Sequence, residues 1–136
     1  MKMVGIEDHI AITQLVNLYG HVIDFREWDR LGEVFVEDLV FDATDLDPAR
    51  EPIHGLANLI RRWSSPEANH PLAHHASNIL IWEDPDGTVR SQSKGYGPRP
   101  GGEGRAVTYK DVLRRTPQGW RLAQRTAILM RPRPNS

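Results

Sequence analysis

The sequence predicts an α+β fold in which a curved antiparallel sheet wraps around N-terminal helices. Two features carry that prediction. Apolar residues recur at helical spacing near the start of the chain, and from Leu72 onward strand-forming runs are separated by turn signatures. Helices in front and strands behind are the α+β pattern, and 136 residues make one domain, 1–136, with a core of its own.

The first helix runs from Ile6 to Ile23. Ile6, Ile10, Leu15, Tyr19, Val22 and Ile23 fall near one face, no proline interrupts, and Gly20 weakens the pattern slightly. Trp28 to Phe35 reads as a second short helix with Trp28, Leu31 and Phe35 on one side, and Leu39-Val40-Phe41 as a short strand. ATDLDPAREP is a loop, because its prolines and acidic residues discourage a regular element. Leu56 to Trp63 forms a third helix, opened by His54-Gly55 and stopped by Ser64-Ser65-Pro66.

HHASNILIWE then reads as a strand closed by the turn Asp84-Pro85-Asp86-Gly87, with Thr88 to Tyr96 pairing back. GPRPGGEG is a flexible hairpin end, too rich in glycine and proline for a central strand. Arg105 to Arg115 alternates, placing Val107, Tyr109, Asp111 and Leu113 on one face. Trp120 to Met130 is the last strand, and residues 131–136, RPRPNS, read as a frayed tail. A sheet curved over helices leaves a hollow between them, a natural place for a small apolar ligand.

Composition narrows the partners. Lys plus Arg number 17 against Asp plus Glu 18, so a net charge of −1 gives no long-range pull toward nucleic acid or membrane. The chain has no cysteine, which excludes disulfides and thiolate chemistry and fits a reducing compartment. No apolar run approaches the roughly 18 residues of a membrane span, and MKMVGIEDHI lacks the character of a secretory signal. A cytoplasmic protein is the expectation.

The candidate site starts from Tyr19 and Asp24, close together at the end of the first helix, where both can lean toward the sheet. His70, His74 and His75 invite a metal, but geometry opposes it. Residues four apart in a strand lie about 13 Å from each other, adjacent ones face oppositely, and Pro71 disfavours a helix at His70. The expectation is no metal and no cofactor. By parity, His74 shares a face with Asn78, leaving His75 outward unless a bulge exchanges the two. Asp111 shares the face of Tyr109, either as a second pocket carboxylate or as the ion-pair partner of an arginine such as Arg125. The arginines from Arg114 to Arg125, spaced along strands, read as a solvated or subunit-contact surface. The tryptophans read as core or interface, with Trp63 able to line the cavity mouth.

DxxxWDRL at Asp24 to Leu31, followed by Phe35 and Val40-Phe41-Asp42, resembles the NTF2-like superfamily. HHASNILI with its Asp-Gly turn and TYKDVLRRTPQGWRLAQRT extend the likeness over Glu7 to Leu129. It is strongest for the SnoaL-like group, which includes scytalone dehydratase, bile-acid dehydratases and polyketide cyclases. The resemblance implies a cone-shaped fold, a homodimer or homotrimer, and a pocket inside the cone. It also implies cofactor-independent chemistry by a histidine–aspartate acid–base pair assisted by tyrosines.

Carried onto this chain, the aspartate is Asp24, the helix tyrosine Tyr19 and the strand histidine His74, identified by Asn78 four residues on. Tyr109 stands at a pocket-facing polar position. Two departures matter. GPRPGGEG occupies the place of a second pocket histidine, and Ile23 and Ala43 replace two tyrosines of scytalone dehydratase, so that particular dehydration is not expected.

In such a pair the carboxylate orients the imidazole and favours its proton, while the imidazole titrates near neutral pH. The leading expectation is a lyase or isomerase acting on a hydrophobic cyclic molecule. His74 would be the acid–base group, Asp24 its orienting partner, and Tyr19 and Tyr109 the polar contacts, with Asn78, Asp111, His75 and Trp63 around the substrate. The alternatives are a non-catalytic small-molecule-binding module and a structural subunit like the small subunit of aromatic-ring dioxygenases.

Overall fold

In the computed structural model, which describes residues 1–134, α1 spans Ile6–Asp24 and a 3-10 helix spans Trp28–Glu33. The remaining elements are β1 (Phe35–Asp42), β2 (Ile53–His54), α2 (Leu56–Trp63), β3 (His75–Glu83), β4 (Val89–Pro98), β5 (Gly104–Thr116) and β6 (Gly119–Leu129). They form one six-stranded sheet, curved and unclosed, in the order β2-β1-β6-β5-β4-β3. Every neighbouring pair is antiparallel except β1 and β6. No helix among the described residues is long and apolar enough to cross a membrane.

Several sequence expectations shift here. The buried face of α1 is Ile12, Leu15, Val16, Tyr19, Val22 and Ile23, whereas Ile6 and Ile10 are exposed. The second helix stops at Glu33, and Phe35 begins β1 instead of ending a helix. A 3-10 turn suffices to bury Leu31, and Val34 and Phe35 can then pack as the chain straightens. The short β2, pairing Ile53 with Phe41, directly follows the ATDLDPAREP loop, where the sequence predicts no strand.

The glycine–proline stretch is less irregular than its composition predicts. Pairing of β4 with β5 continues to Pro98↔Gly104, and Gly101 and Gly102 take positive φ values of 95° and 98° to reverse the chain. Of the tail, Arg131 is tied down: its Nη1 donates to Asp45 Oδ2 at 2.9 Å and its Nη2 to the Asp45 carbonyl at 2.7 Å. Residues 135–136 lie outside the described residues.

The inner face of the sheet carries a row that sets up everything near the cavity. Ile81, Ser91, Asp111, Arg125 and Phe41 are successive register partners across β3, β4, β5, β6 and β1. Beside it, Ser93, Tyr109 and Ala127 form the adjacent row. Small residues flank the large ones, so the ring of Tyr109 has room. A Cβ on Gly95 would collide with Tyr109 Cε2, which only glycine avoids.

Gly20 performs the same service where α1 meets the segment before β3. A Cβ there would stand 2.8 Å from the His74 carbonyl oxygen and 3.0 Å from the His74 Cβ. The helix can approach this closely only without a side chain at position 20. Gly20→Ala should therefore push α1 off His74 and destabilise the fold by about 1–3 kcal/mol, despite alanine's better helix propensity. Urea unfolding measures it, and a stability gain would show that the contact yields freely.

Candidate active site

Between α1, α2 and the inner face of the sheet lies a cavity of about 530 Å³. Its wall includes Tyr19, Phe41, Trp63, His70, His74 and Tyr109. Their aromatic rings contact one another edge-on: Tyr19 lies 5.6 Å from Tyr109, 6.1 Å from Trp63 and 5.8 Å from the His74 ring, and Trp63 lies 5.0 Å from Phe41. Such edge contacts suit the ring quadrupoles and fix ring orientation. The result is a hollow with an aromatic wall and polar and charged side chains around the rest of its lining, a build that suits a small-molecule site.

His74 sits just before β3, and Asp24 ends α1, fifty residues earlier. Asp24 holds it twice. Oδ2 accepts the His74 backbone N–H at 2.9 Å, and Oδ1 lies 2.6 Å from Nδ1. A carboxylate only accepts, so Nδ1 carries the proton and Nε2 keeps its lone pair. Nε2 makes no hydrogen bond with any described residue, and His74 is part of the cavity wall. Burial is the largest influence on the imidazole and pulls its pKa below the ordinary value. The bond and charge of Asp24 oppose it, while Arg26 and Arg125 add to the lowering. The carboxylate favours the proton, as expected, but burial outweighs it. The downward shift favours the neutral ring at pH 7.

Asp24 itself stands behind His74 and is not part of the cavity wall. Asp24→Asn should remove the charge that supports the imidazole's basicity and lower the His74 pKa further. A titration of the His74 ring followed by NMR checks the direction, and an unchanged or raised midpoint would contradict it.

Behind the two tyrosines lies a feature the sequence reading placed on the surface. Arg125 is 1% exposed, with Nε 2.8 Å from Asp111 Oδ1 and Nη2 2.9 Å from Oδ2. Ser91 Oγ donates a further bond to Asp111 Oδ2 at 2.8 Å. The guanidinium carbon lies 4.2 Å from the Tyr19 ring centroid and 4.1 Å from that of Tyr109. Desolvation disfavours the charged form of this group, but the carboxylate of Asp111 outweighs it and holds the guanidinium charged. Burial is also the main reason both phenols titrate above their ordinary range, with Arg125 pulling the other way. Both tyrosines are therefore neutral donors at pH 7, packed on a buried cation.

Of the predicted residues, the cavity wall brings together Tyr19, His74, Tyr109 and Trp63 and leaves out four, Asp24, Asp111, Asn78 and His75. Asp111 resolves to the ion-pair reading: it is buried behind Tyr109 and does not reach the cavity. Asn78 does not share the face of His74. It sits at φ 54°, in an irregularity between Ser77 and Leu80 that breaks the strand's alternation, and it is exposed beside Ser77. His75 is exposed and faces away, its ring 6.4 Å from that of Tyr96. The bulge falls after both histidines, so it could not exchange them.

His70 was considered only as a metal ligand, yet it lines the cavity, with Nε2 2.8 Å from the Trp63 carbonyl and its pKa lowered mainly by burial. No group of three or more His, Cys, Asp or Glu side chains among the described residues is placed to hold a metal. The signal for Arg125 was present: Ala123, Arg125 and Ala127 alternate on one face of β6, and two alanines beside an arginine mark an inward face, not a solvated one.

The model of the SnoaL-like domain family matches residues 5–126. Uncharacterised proteins of Mycobacterium tuberculosis and Mycobacterium bovis are 32% identical over 133 residues, covering 92% of this chain and 87% of theirs. A crystal structure described as that of a candidate aromatic ring hydroxylase from Novosphingobium aromaticivorans superposes with a TM-score of 0.76 at 30% identity, covering 96% of this chain and 94% of the other. ActVI-ORFA of Streptomyces coelicolor shares the fold, with a TM-score of 0.72 at 17% identity and coverage of 89% and 96%. An NTF2-like protein with a cystatin-like fold from Novosphingobium aromaticivorans does so at 0.72 and 23%, over 91% and 82%. Matched over nearly its whole length, the chain belongs to the SnoaL-like family and has the fold of these NTF2-like, cystatin-like structures.

Proposed function

We propose that this protein is a cofactor-independent lyase or isomerase that moves protons on a hydrophobic cyclic molecule bound in the cavity. The carrying observation is the Asp24–His74 pair, in which Nδ1 is occupied and Nε2 is free. A neutral imidazole oriented by a carboxylate is a general base at pH 7, and after accepting a proton it becomes the acid that returns it. In the proposed step, Nε2 removes a proton from the carbon next to a substrate carbonyl. The C–H electron pair shifts toward the carbonyl carbon, and the oxygen becomes an enolate.

Tyr19 and Tyr109 would donate hydrogen bonds to that oxygen. Arg125 stabilises the developing charge through the two rings, without touching substrate. The imidazolium then protonates either a different carbon, giving isomerisation, or a departing hydroxyl, giving dehydration. The wall of Phe41, Trp63 and the tyrosines suits a flat ring system, and the description of the Novosphingobium relative as a candidate aromatic ring hydroxylase supports an aromatic or polycyclic substrate.

The direct test is exchange of the α-hydrogens of 2-tetralone in deuterated water, followed by proton NMR. The protein should accelerate exchange above the buffer rate. A rate equal to buffer with the ligand demonstrably bound would leave a binding module, with the same cavity and no chemistry.

A further inference from the structure

The rim of the cavity differs in charge from the rest of the molecule. Five arginines line it, Arg50, Arg61, Arg62, Arg99 and Arg105, against two glutamates, Glu51 and Glu67. The chain as a whole carries a net charge of −1, so this positive excess is local. Pairing sharpens the contrast. Arg30, Arg90, Arg114, Arg115, Arg125 and Arg131 each sit within ion-pair distance of a carboxylate. Of the rim arginines, Arg50 alone does so among the described residues, 3.5 Å from Asp47.

Three of the others are held by neutral oxygens. Arg99 Nη1 donates to the Asn69 carbonyl at 3.1 Å and to its Oδ1 at 3.0 Å. Arg105 Nη1 donates to the Leu46 carbonyl at 3.3 Å, and Arg61 Nη2 to Asn58 Oδ1 at 2.7 Å. Neutral acceptors position a guanidinium without cancelling its charge, and they leave its remaining N–H groups free. The three lie on three separate segments, α2, the β4–β5 turn and the start of β5, which meet at the cavity mouth. A positive rim around an apolar hollow concentrates anions at its opening.

We infer that the molecule taken by the cavity carries an anionic group, a carboxylate or a phosphate, which stays at the rim on Arg61, Arg62, Arg99 and Arg105 while its apolar ring enters. The inference rests on the cavity being the binding site but not on the proton-transfer chemistry.

The test uses unreactive probes: 4-(2-naphthyl)butanoate, the corresponding uncharged amide, and 4-(2-naphthyl)butyl phosphate, with Kd measured by calorimetry at low and high salt. At least one charged probe should bind roughly tenfold more tightly than the amide at low salt, and the preference should shrink at high salt. The ranking of carboxylate against phosphate identifies the group. Arg61→Gln/Arg62→Gln, on the exposed face of α2, should erase most of the preference and leave amide binding unchanged, and Arg99→Gln should do so from the opposite segment. Equal affinities for charged and uncharged probes, binding of none at millimolar concentration, or equal weakening of all three in both variants would overturn the inference. Because His74→Ala should keep the charge preference, failure here and failure of the proton-transfer reading give different results.

Discussion

His74→Ala should slow deuterium exchange into 2-tetralone by about 10²–10⁴-fold, the usual contribution of one positioned proton-transfer group. Folding should survive, because the backbone N–H that Asp24 accepts is still present in alanine. Circular dichroism and a urea titration confirm the fold, and NMR gives the rate. A variant that keeps the wild-type rate would remove His74 from the chemistry. The pH profile adds a sign. His74 acts when deprotonated, and burial lowers its pKa below the ordinary 6.5. Activity should therefore be flat across neutral pH and fall only on the acid side, with its midpoint below that of a free histidine. The limb should vanish in the alanine variant. A midpoint above 7 would mean that the Asp24 charge, and not burial, governs the ring.

The second large effect concerns the buried pair. Asp111→Leu should destabilise the protein by about 3–5 kcal/mol, because it strands the charge of Arg125 where water cannot reach. Asp111→Leu combined with Arg125→Met should recover most of that loss, since a buried ion pair is often worth little against an apolar pair of similar volume. Urea midpoints of the two single variants and the double variant measure the coupling. Function should not recover with stability. Without the guanidinium beneath them, Tyr19 and Tyr109 lose the cation that supports their donation, so the double variant should stay slow in the exchange assay. Full activity in a stable double variant would reduce Arg125 to a packing element.

These residues also show what a sequence can and cannot disclose. The termini of α2 and the DPDG turn were legible because glycine, serine and proline punctuate them locally. Tyr19, His74, Tyr109 and Trp63 were legible through family resemblance and alternation. Asn78 was not, because a left-handed residue in mid-strand reverses every face after it and leaves no mark in composition. The Arg125 guanidinium was misjudged for a different reason. Charge argues for solvent by default, and the cost of burying it is met by Asp111, fourteen residues earlier and visible only once register is known. The rim arginines escaped notice because three segments bring them together.

Asp24 grips position 74 by a main-chain amide as well as by an imidazole, and only the second depends on which amino acid stands there. Scaffold and reagent are thereby partly uncoupled at this junction. Chemistry at position 74 can be exchanged, by design or by drift, while the seam between helix and sheet stays sewn. A fold built this way offers its hollow to new reactions one side chain at a time.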